Sequence, residues 1–222
     1  MAKSAYSKAD AVYGDLKEAI LAGALEPGRL IDKTTVCERL GVSRFPVSAA
    51  VSRLAYDGLV DVAPQHGSFV SRISIDDVRE RLFIRSALES EIAADAAARM
   101  SGADKDALAA NLKEAKFAVD AEDRAAFYAA DVAFHQILTA RLGMARASEI
   151  LDGLRIHLER VRRLLMSPPG RIREVLREHE AIVSAIALGD PPTAREAMKR
   201  HLSLTGELLE KVARQRPEMF SP

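Results

Sequence analysis

Two short helical segments joined by a tight, glycine-containing turn constrain the fold of this chain more than any other feature of its sequence. The first segment, residues 32–40, begins at Asp32, which can cap a helix, and is stopped by Gly41. The second, residues 43–57, carries Pro46 in its first turn, where proline costs no helical hydrogen bond. This spacing is typical of a helix-turn-helix, in which the second helix enters the major groove of DNA. The residues expected on its buried side are Val47, Ala50, Val51 and Leu54.

The residues on either side of this helix pair extend the pattern to a complete small domain. Apolar residues recur at helical spacing over residues 7–21, and Gly23 follows as a stop signal. After the second helix, two β-branched runs at residues 59–63 and 68–72 flank a Pro-Gln-His-Gly turn, which is the pattern of a β-hairpin. We therefore expect a winged helix-turn-helix over residues 1–73, with the hairpin as its wing.

The rest of the chain has the pattern of helix almost throughout. Ser74, with Asp77 three residues later, forms a capping-box-like start, and helical periodicity continues to about Arg216. Break signals, mostly glycine and proline, fall at residues 101–102, 143, 167–170 and 189–192. We therefore expect residues 74–222 to form an antiparallel, all-helical bundle of about six helices, which makes the chain mainly α.

The composition favours a globular protein and argues against several other classes. Apolar residues make up 48% of the 222 positions, yet no run is long enough to span a membrane, and the N-terminus lacks the apolar stretch of a secretory signal. The single cysteine, Cys37, excludes an intramolecular disulfide and is interpreted as a small core residue. We therefore expect a cytoplasmic location and no membrane partner.

The charge balance does not by itself indicate a nucleic-acid partner. The chain has 32 basic and 32 acidic residues, and nine basic against eight acidic residues precede Ser74. Because no excess of basic residues covers the chain, any binding to DNA must depend on where a few arginines are placed. The functional interpretation therefore rests on motifs.

Four motifs follow one another through the N-terminal part: Leu25-x-Pro27-Gly28, Leu40-Gly41-Val42-Ser43-Arg44-x-Pro46-Val47, Arg53-Leu54-x3-Gly58-Leu59-Val60 and Gly67-x-Phe69-Val70. In this order and spacing they resemble the GntR family of bacterial regulators. The resemblance implies a homodimer that binds double-stranded operator DNA. It also implies the DNA-binding residues, which are Ser43, Arg44, Phe45 and Ser48 on the recognition helix and His66 and Gly67 at the tip of the wing.

The residue types at these positions suit contacts with DNA. Arg44 has a planar fork that can hold either guanine O6 and N7 or a backbone phosphate, and Ser43 can donate to a phosphate at the helix N-terminus. Two positions depart from the family pattern: Ser48 stands where the family usually has arginine, and Phe45 where it usually has a small residue. Without that arginine the helix lacks a bidentate base contact that contributes about 1–3 kcal/mol of base discrimination. We therefore expect the operator to differ from the usual family site. Phe45 could contact a thymine methyl group or pack against the domain.

A second set of motifs extends through the C-terminal part: Arg85-x2-Leu88-Glu89, Asp131-x2-Phe134-His135, Glu178-His179-x2-Ile182 and Met198-x2-His201-Leu202. These resemble the FCD ligand-sensing domain of the FadR subgroup of GntR regulators. The resemblance implies a metal site closed by one aspartate and three histidines, here Asp131, His135, His179 and His201. Such a ligand set suits a divalent transition metal: zinc is expected first, with nickel, manganese and other first-row ions left open.

Arg85 aligns with an arginine that, in the family, points into the same cavity and can hold an anionic effector. A guanidinium beside a metal suits a carboxylate, so the implied effector is a small organic acid. Two observations leave this open: Arg85 could form only a helix-surface ion pair with Glu89, and Met144 stands where the subgroup usually has asparagine. A further run of basic residues is expected to be a solvated helix face: Arg155, Arg160, Arg162 and Arg163.

Together, these features predict a ligand-modulated repressor of transcription and not an enzyme. An effector at the metal site would change how the domains or subunits pack, and thereby the spacing of the two recognition helices. Two alternatives stay open. The metal could be structural, in a regulator that responds to metal itself or to a protein partner. The three histidines and Asp131 could instead activate water in a metal-dependent hydrolase, although no additional base is placed beside them.

Overall fold

The computed structural model describes residues 7–166 and 170–221, except for the side chains of residues 156 and 157. The helices are α1 (Lys8–Leu21), α2 (Lys33–Leu40), α3 (Arg44–Tyr56), α4 (Ile75–Arg99), α5 (Gly102–Asp120), α6 (Arg124–Arg141), α7 (Ala145–Leu165), α8 (Arg171–Leu188) and α9 (Pro191–Gln215). The strands are β1 (Val60–Ala63), β2 (Gly67–Val70), β3 (Ile73–Ser74) and β4 (Phe220–Ser221). The mainly helical class is confirmed. The break expected at residues 167–169 lies outside the described residues.

The chain divides into two compact units. The N-terminal unit consists of Met1–Val78, Ile156–Leu164 and Val212–Pro222, and the helical unit consists of Arg79–Arg155 and Leu165–Lys211. Helices α4, α7 and α9 therefore contribute residues to both units. The domain boundary expected between residues 73 and 74 stays a prediction.

The helix-turn-helix forms from local signals. Asp32 caps α2, because its side chain accepts hydrogen bonds from the backbone N–H groups of Thr34 and Thr35. Helix α2 ends at Gly41, which has φ 61°, a left-handed conformation that glycine adopts without steric cost. Helix α3 then begins directly after Ser43. The predicted helix-turn-helix is confirmed.

Helix α3 packs its apolar face into the core of the N-terminal unit. The four side chains expected to be buried are 0–1% exposed: Val47, Ala50, Val51 and Leu54. They share a core cluster with Leu16 and Ile20 of α1, which are fully buried. Each large aliphatic side chain buried in this way contributes about 1.5–3 kcal/mol. The packing therefore fixes which face of α3 remains outward.

The wing is the antiparallel pair β1–β2, with Val60 opposite Val70. Its turn holds Gln65 at φ 64° and Gly67 at φ 122°. A side chain at Gly67 would also collide with Leu30, because a Cβ atom there would lie 2.7 Å from Leu30 Cδ1. The backbone conformation therefore favours glycine at this position, whereas Leu30, which is 51% exposed, could move its methyl group aside. The predicted hairpin is confirmed.

The helical unit is built from α4 to α9 and contains more than one apolar core cluster. The large side chains at the centre of the biggest described cluster are 0–1% exposed: Leu108, Phe134, Leu138, Ile182, Ile186 and Met198. The helices break near residues 101–102, 143 and 189 as expected, but the break between α5 and α6 has no glycine or proline to predict it. There Glu122 adopts φ 55°, and Asp123 caps α6. Within the described ranges, no helix is both long enough and apolar enough to cross a membrane.

The arginine run of α7 is not the solvated face expected from the sequence. Arg160 is 7% exposed and donates from Nη1 to the backbone oxygen of Ser71 at 2.5 Å. Arg162 and Arg163 pair with Glu159 at 2.6 and 2.8 Å. Burial lowers the pKa of Arg160 to about 10. The expectation failed because the charges along one helix do not show which acceptors other segments bring to it.

The end of the chain also departs from the all-helical expectation. After α9, a turn of 3-10 helix at Pro217–Met219 leads into β4, whose two residues pair in parallel with β3. Ile73 lies opposite Phe220, and each is 6% exposed. Two-residue strands are too short to produce a periodic signal, so this pairing has no signature in the sequence.

Candidate metal centre and nucleic-acid interface

Three histidines from three different helices meet inside the helical unit. His135 comes from α6, His179 from α8 and His201 from α9. Each is buried, and one ring nitrogen of each lies within 4.8 Å of the others. The structure thus brings together three residues that the sequence separates by 44 and 22 positions.

Asp131, from the same helix as His135, lies beside the triad, but it is not part of the group whose donor atoms all lie within 4.8 Å of one another. It lies one turn before His135 on α6, is 3% exposed, and places Oδ1 3.6 Å from His179 Nε2. That nitrogen is buried and has no hydrogen-bond partner within the described residues. A buried polar atom without a partner is costly and needs an explanation. A divalent cation held by these four residues would supply it, so the donor set fits the metal implied by the resemblance.

Two carboxylates that were not predicted as site residues contact the Nδ1 atoms of His135 and His201. Glu89 Oε2 lies 2.5 Å from His135 Nδ1, and Glu178 Oε2 lies 2.6 Å from His201 Nδ1. A carboxylate hydrogen-bonded to Nδ1 keeps the ring proton on that nitrogen, which leaves the lone pair of Nε2 available to a metal. His201 and Glu178 have this hydrogen bond, whereas His135 and Glu89 are close together without hydrogen-bond geometry. Glu89 and Glu178 belong to the motifs of the helical part, but nothing in the sequence distinguishes their role from that of a surface carboxylate.

Burial favours the neutral form of two of the three histidines, His135 and His179. Burial lowers the pKa of His179 well below its usual value, and the nearby His201 lowers it further. Burial also lowers the pKa of His135, although Glu89 opposes this effect. The ring of Phe134 stacks on His179 with centroids 4.0 Å apart. Neutral imidazole is the form that binds metal ions, so the site is prepared for a metal near neutral pH.

Arg85 lies beside the same centre on α4. Its Nε is 2.5 Å from Glu89 Oε1, so the ion pair considered from the sequence is present. Burial acts to lower the pKa of Arg85, but Glu89 and then Asp131 outweigh it and raise that pKa. The pKa of Glu89 falls because Arg85 and His135 outweigh the opposing effect of burial. Arg85 therefore stays charged within electrostatic reach of Asp131, and its expected role towards an effector stays a prediction.

The expected DNA-binding residues of the recognition helix lie on the surface of the N-terminal unit. Ser43, Arg44 and Phe45 are exposed at the start of α3, and Ser48 is half-buried one turn later. The Ser43 side chain makes no capping hydrogen bond to α3, so its hydroxyl is available to another acceptor or donor. Phe45 is 82% exposed and does not pack against the described part of the domain. Of the two interpretations of Phe45, the packed one is therefore wrong.

The remaining two expected residues lie at the tip of the wing. His66 lies in the turn between β1 and β2, Gly67 is the first residue of β2, and both are exposed. The structure thus places all six expected positions on two surface features of one compact unit, the start of α3 and the wing. Binding to DNA at these positions stays a prediction.

A winged helix-turn-helix with an outward recognition helix, followed in one chain by a separate helical unit, is the architecture of a DNA-binding regulatory protein. Residues 8–70 match the family model described as bacterial regulatory proteins, gntR family, and residues 80–204 match that of the FCD domain. The chain belongs to the GntR family of DNA-binding transcriptional regulators and carries an FCD ligand-sensing domain.

Relatives and solved structures agree with this assignment. The chain is 33% identical over 151 residues to the HTH-type transcriptional repressor RspR of Escherichia coli (strain K12), a match that covers 68% of this chain and 66% of RspR, just under two thirds. An HTH-type transcriptional regulator in an unstable DNA locus of Streptomyces ambofaciens is 33% identical over 154 residues, which is 69% of this chain and 64% of that protein.

Two solved structures share the fold over nearly the whole chain. McbR/YncC of E. coli has a TM-score of 0.72 at 23% identity, and a GntR transcriptional regulator from Rhodococcus sp. RHA1 has 0.73 at 24%. Each match covers 92% of this chain and 98% of the other. At these identities the likeness shows the fold alone, and it confirms the architecture expected from the sequence.

Proposed function

We propose that this protein is a homodimeric repressor whose affinity for operator DNA is changed by a small carboxylate bound at a divalent metal. In this proposal residues 1–73 bind DNA and residues 74–222 hold the metal and the effector. The observation that carries it is the buried His135–His179–His201 triad with its unpartnered His179 Nε2, in an FCD domain fused to a GntR-type DNA-binding domain.

The metal ligands in this proposal are Asp131, His135, His179 and His201. Three imidazoles and one carboxylate favour zinc among the divalent ions, with nickel and manganese as the next candidates. When bound, the metal supplies a positive charge that attracts one oxygen of a carboxylate effector. The contribution of the chain is to present three buried imidazoles, of which His135 and His179 favour the neutral form, with Glu89 and Glu178 orienting the rings of His135 and His201.

Arg85 would orient the effector. Its Nε contacts Glu89, so the two terminal nitrogens of the guanidinium are the ones proposed to orient the rest of the effector while the metal holds one carboxylate oxygen. The ion pair to Glu89 then has two effects: it fixes the plane of the fork, and it connects the effector position to His135.

On the DNA side, Ser43, Arg44, Phe45 and Ser48 with the wing residues His66 and Gly67 would contact the operator. Two copies of the chain are proposed because paired recognition helices must reach successive major grooves about one helical turn apart. Repression is proposed because the relative RspR is a transcriptional repressor. A cytoplasmic location follows, because operator DNA lies there.

The DNA half is tested by Arg44→Ala in a gel-shift assay with the promoter of the neighbouring operon. We expect binding to weaken about 5- to 150-fold, the range that corresponds to a lost contact of about 1–3 kcal/mol. Arg146→Ala is the matched control, since Arg146 is 90% exposed in the helical unit. Unchanged affinity of Arg44→Ala would contradict the docking of α3 in the groove.

The sensing half is tested by His179→Ala with elemental analysis of the purified protein. We expect bound metal to be lost, while His66→Ala in the wing retains it. Equal metal content in wild type and His179→Ala would refute the ligand assignment. A thermal-shift screen of metabolic acids on metal-loaded protein, compared with operator binding, then identifies the effector. If metal alone changes operator binding and no acid does, the regulator responds to metal.

A further inference from the structure

The outward face of α3 has no charged side chain along its middle. Positions 45, 48, 49 and 52 fall on one side of the helix because they are spaced by three and four residues. We refer to these four residues as the reading stripe: Phe45, Ser48, Ala49 and Ser52. Ser48 is half-buried and the other three are exposed, opposite the face that enters the core. The reading stripe is therefore the surface that α3 presents to a groove.

The cations of α3 lie at the sides of the reading stripe. Arg44 and Arg53 are each turned roughly a quarter of a turn from its centre, given the 3.6-residue repeat of the helix. Arg53 is engaged within its own unit: Nη1 lies 3.1 Å from Asp10 Oδ1, and the guanidinium lies over the ring of Tyr13 at 3.9 Å. Arg44 occupies the first helical position, which suits a backbone phosphate. The base edges in front of the stripe would thus meet carbon atoms and hydroxyl groups.

Phe45 is the largest group of the reading stripe, and the fold leaves it in water. Its side chain is 82% exposed, whereas the next two residues, Pro46 and Val47, are buried. Ala49 lies one turn further along the same side and adds a second apolar surface to it. Burying an exposed apolar side chain lowers the free energy most when the partner that covers it is also apolar.

Only one base presents an apolar group in the major groove, namely thymine, through its C5-methyl group. Guanine presents two acceptors there, which a phenyl ring cannot satisfy. The serine hydroxyls of the stripe can donate to or accept from several bases and therefore add little preference. We propose that Phe45 reads the C5-methyl group of a thymine in each operator half-site, an inference that rests on the proposed DNA-binding function.

The probe is a random-sequence duplex library from which wild-type protein selects binding sequences. In the best selected duplex, each thymine is then replaced singly by deoxyuridine, which removes the methyl group and keeps every hydrogen-bonding group. We expect one position per half-site at which this change weakens wild-type binding about fourfold, the effect of one methyl group withdrawn from an apolar contact. Replacement in both half-sites should weaken binding about fifteenfold, as two independent contacts combine.

Variants of Phe45 connect the effect to this residue. Phe45→Ala should bind the thymine and deoxyuridine duplexes equally, within twofold, because the ring that senses the methyl group is gone. Phe45→Leu, which keeps an apolar group, should retain part of the difference. Phe117→Ala is the matched control: Phe117 is 75% exposed in the helical unit, and its removal should leave the full effect. Since Phe45 lies outside the core, its replacement should not unfold the domain, which circular dichroism checks.

The outcomes separate this inference from the function on which it rests. If wild-type protein selects no duplex, the proposed DNA binding is wrong and the role of Phe45 fails with it. If duplexes are selected and Arg44→Ala loses them, but no deoxyuridine position distinguishes wild type from Phe45→Ala, only the thymine inference is overturned. An equal loss from deoxyuridine in wild type and Phe45→Ala would likewise assign the methyl contact to another residue and refute it.

Discussion

Replacing Glu178 by glutamine tests whether the carboxylates behind the histidines set metal affinity. Glu178 lies between two buried partners: Oε2 is 2.6 Å from His201 Nδ1, and Oε1 is 2.5 Å from Arg171 Nη1. Burial acts to raise the pKa of Glu178, but His201 and Arg171 outweigh it and lower that pKa, so the group is an anion near neutral pH. Glutamine keeps the size of the side chain and removes the charge that orients the His201 ring.

The expected loss follows from the position of Glu178 behind a ligand. Removal of such a partner typically lowers metal affinity about 10–100-fold, or about 1.4–2.7 kcal/mol. At a fixed excess of zinc, the stabilisation by metal falls by the same free energy. For a chain of this size each 1 kcal/mol moves the melting temperature by about 2–4 °C, so the zinc-induced rise should shrink by about 3–11 °C.

The assay is zinc competition with a chromophoric chelator, combined with melting curves with and without zinc. Glu174→Gln is the matched control, because Glu174 also contacts Arg171, at 3.3 Å, but is 58% exposed and does not touch a histidine. We expect Glu174→Gln to bind zinc like wild type. Wild-type zinc affinity in Glu178→Gln would refute the positioning role, and so would an equal loss in both variants.

Three further results are expected. Phe134→Ala should lower the free energy of unfolding by about 3–5 kcal/mol, because this side chain is 0% exposed and stacks on His179; urea denaturation measures it, and a loss below about 1 kcal/mol would contradict the packing. Gly67→Ala should weaken operator binding at unchanged metal content, since φ 122° excludes a Cβ atom; wild-type affinity in a gel shift would show that the wing turn tolerates it. Tyr13 donates to Asp57, and burial followed by that carboxylate raises the pKa of Tyr13 to about 12. The stabilisation from this pair is complete below pH 10 and is lost between about pH 10 and 12, so Tyr13→Phe should flatten the stability profile in that window only, as urea titrations at several pH values can show.

Elements with strong local signals were predicted correctly. Helix α2 lies between the cap Asp32 and the stop Gly41, and the wing strands flank a Pro-Gln-His-Gly turn, so the residues that define these elements are adjacent in sequence. The buried face of α3 followed from its spacing alone, because a helix places every third and fourth residue on the same side. In each case the decisive interactions are made within a few residues.

Features that depend on distant partners were missed. One local feature was missed as well: Glu122 takes a left-handed conformation between α5 and α6 although it is not glycine. Arg160 is buried because Ser71, far away in sequence, offers it a backbone oxygen. Strand β4 exists only through its pairing with β3. A local pattern contains no information about such partners.

For the candidate metal site, too, one part could be predicted from the sequence and another part depends on tertiary packing. The sequence by itself determined the kinds of ligand and the one-turn spacing of Asp131 and His135, since helical geometry brings those two side chains to one face. Only the tertiary structure decided that His179 and His201 lie close to His135. It also decided that Glu89 and Glu178 contact the Nδ1 atoms of His135 and His201. The absence of a hydrogen bond at His179 Nε2, among the described residues, is likewise a result of the packing. These facts depend on how three helices pack, and packing is set by the whole core at once.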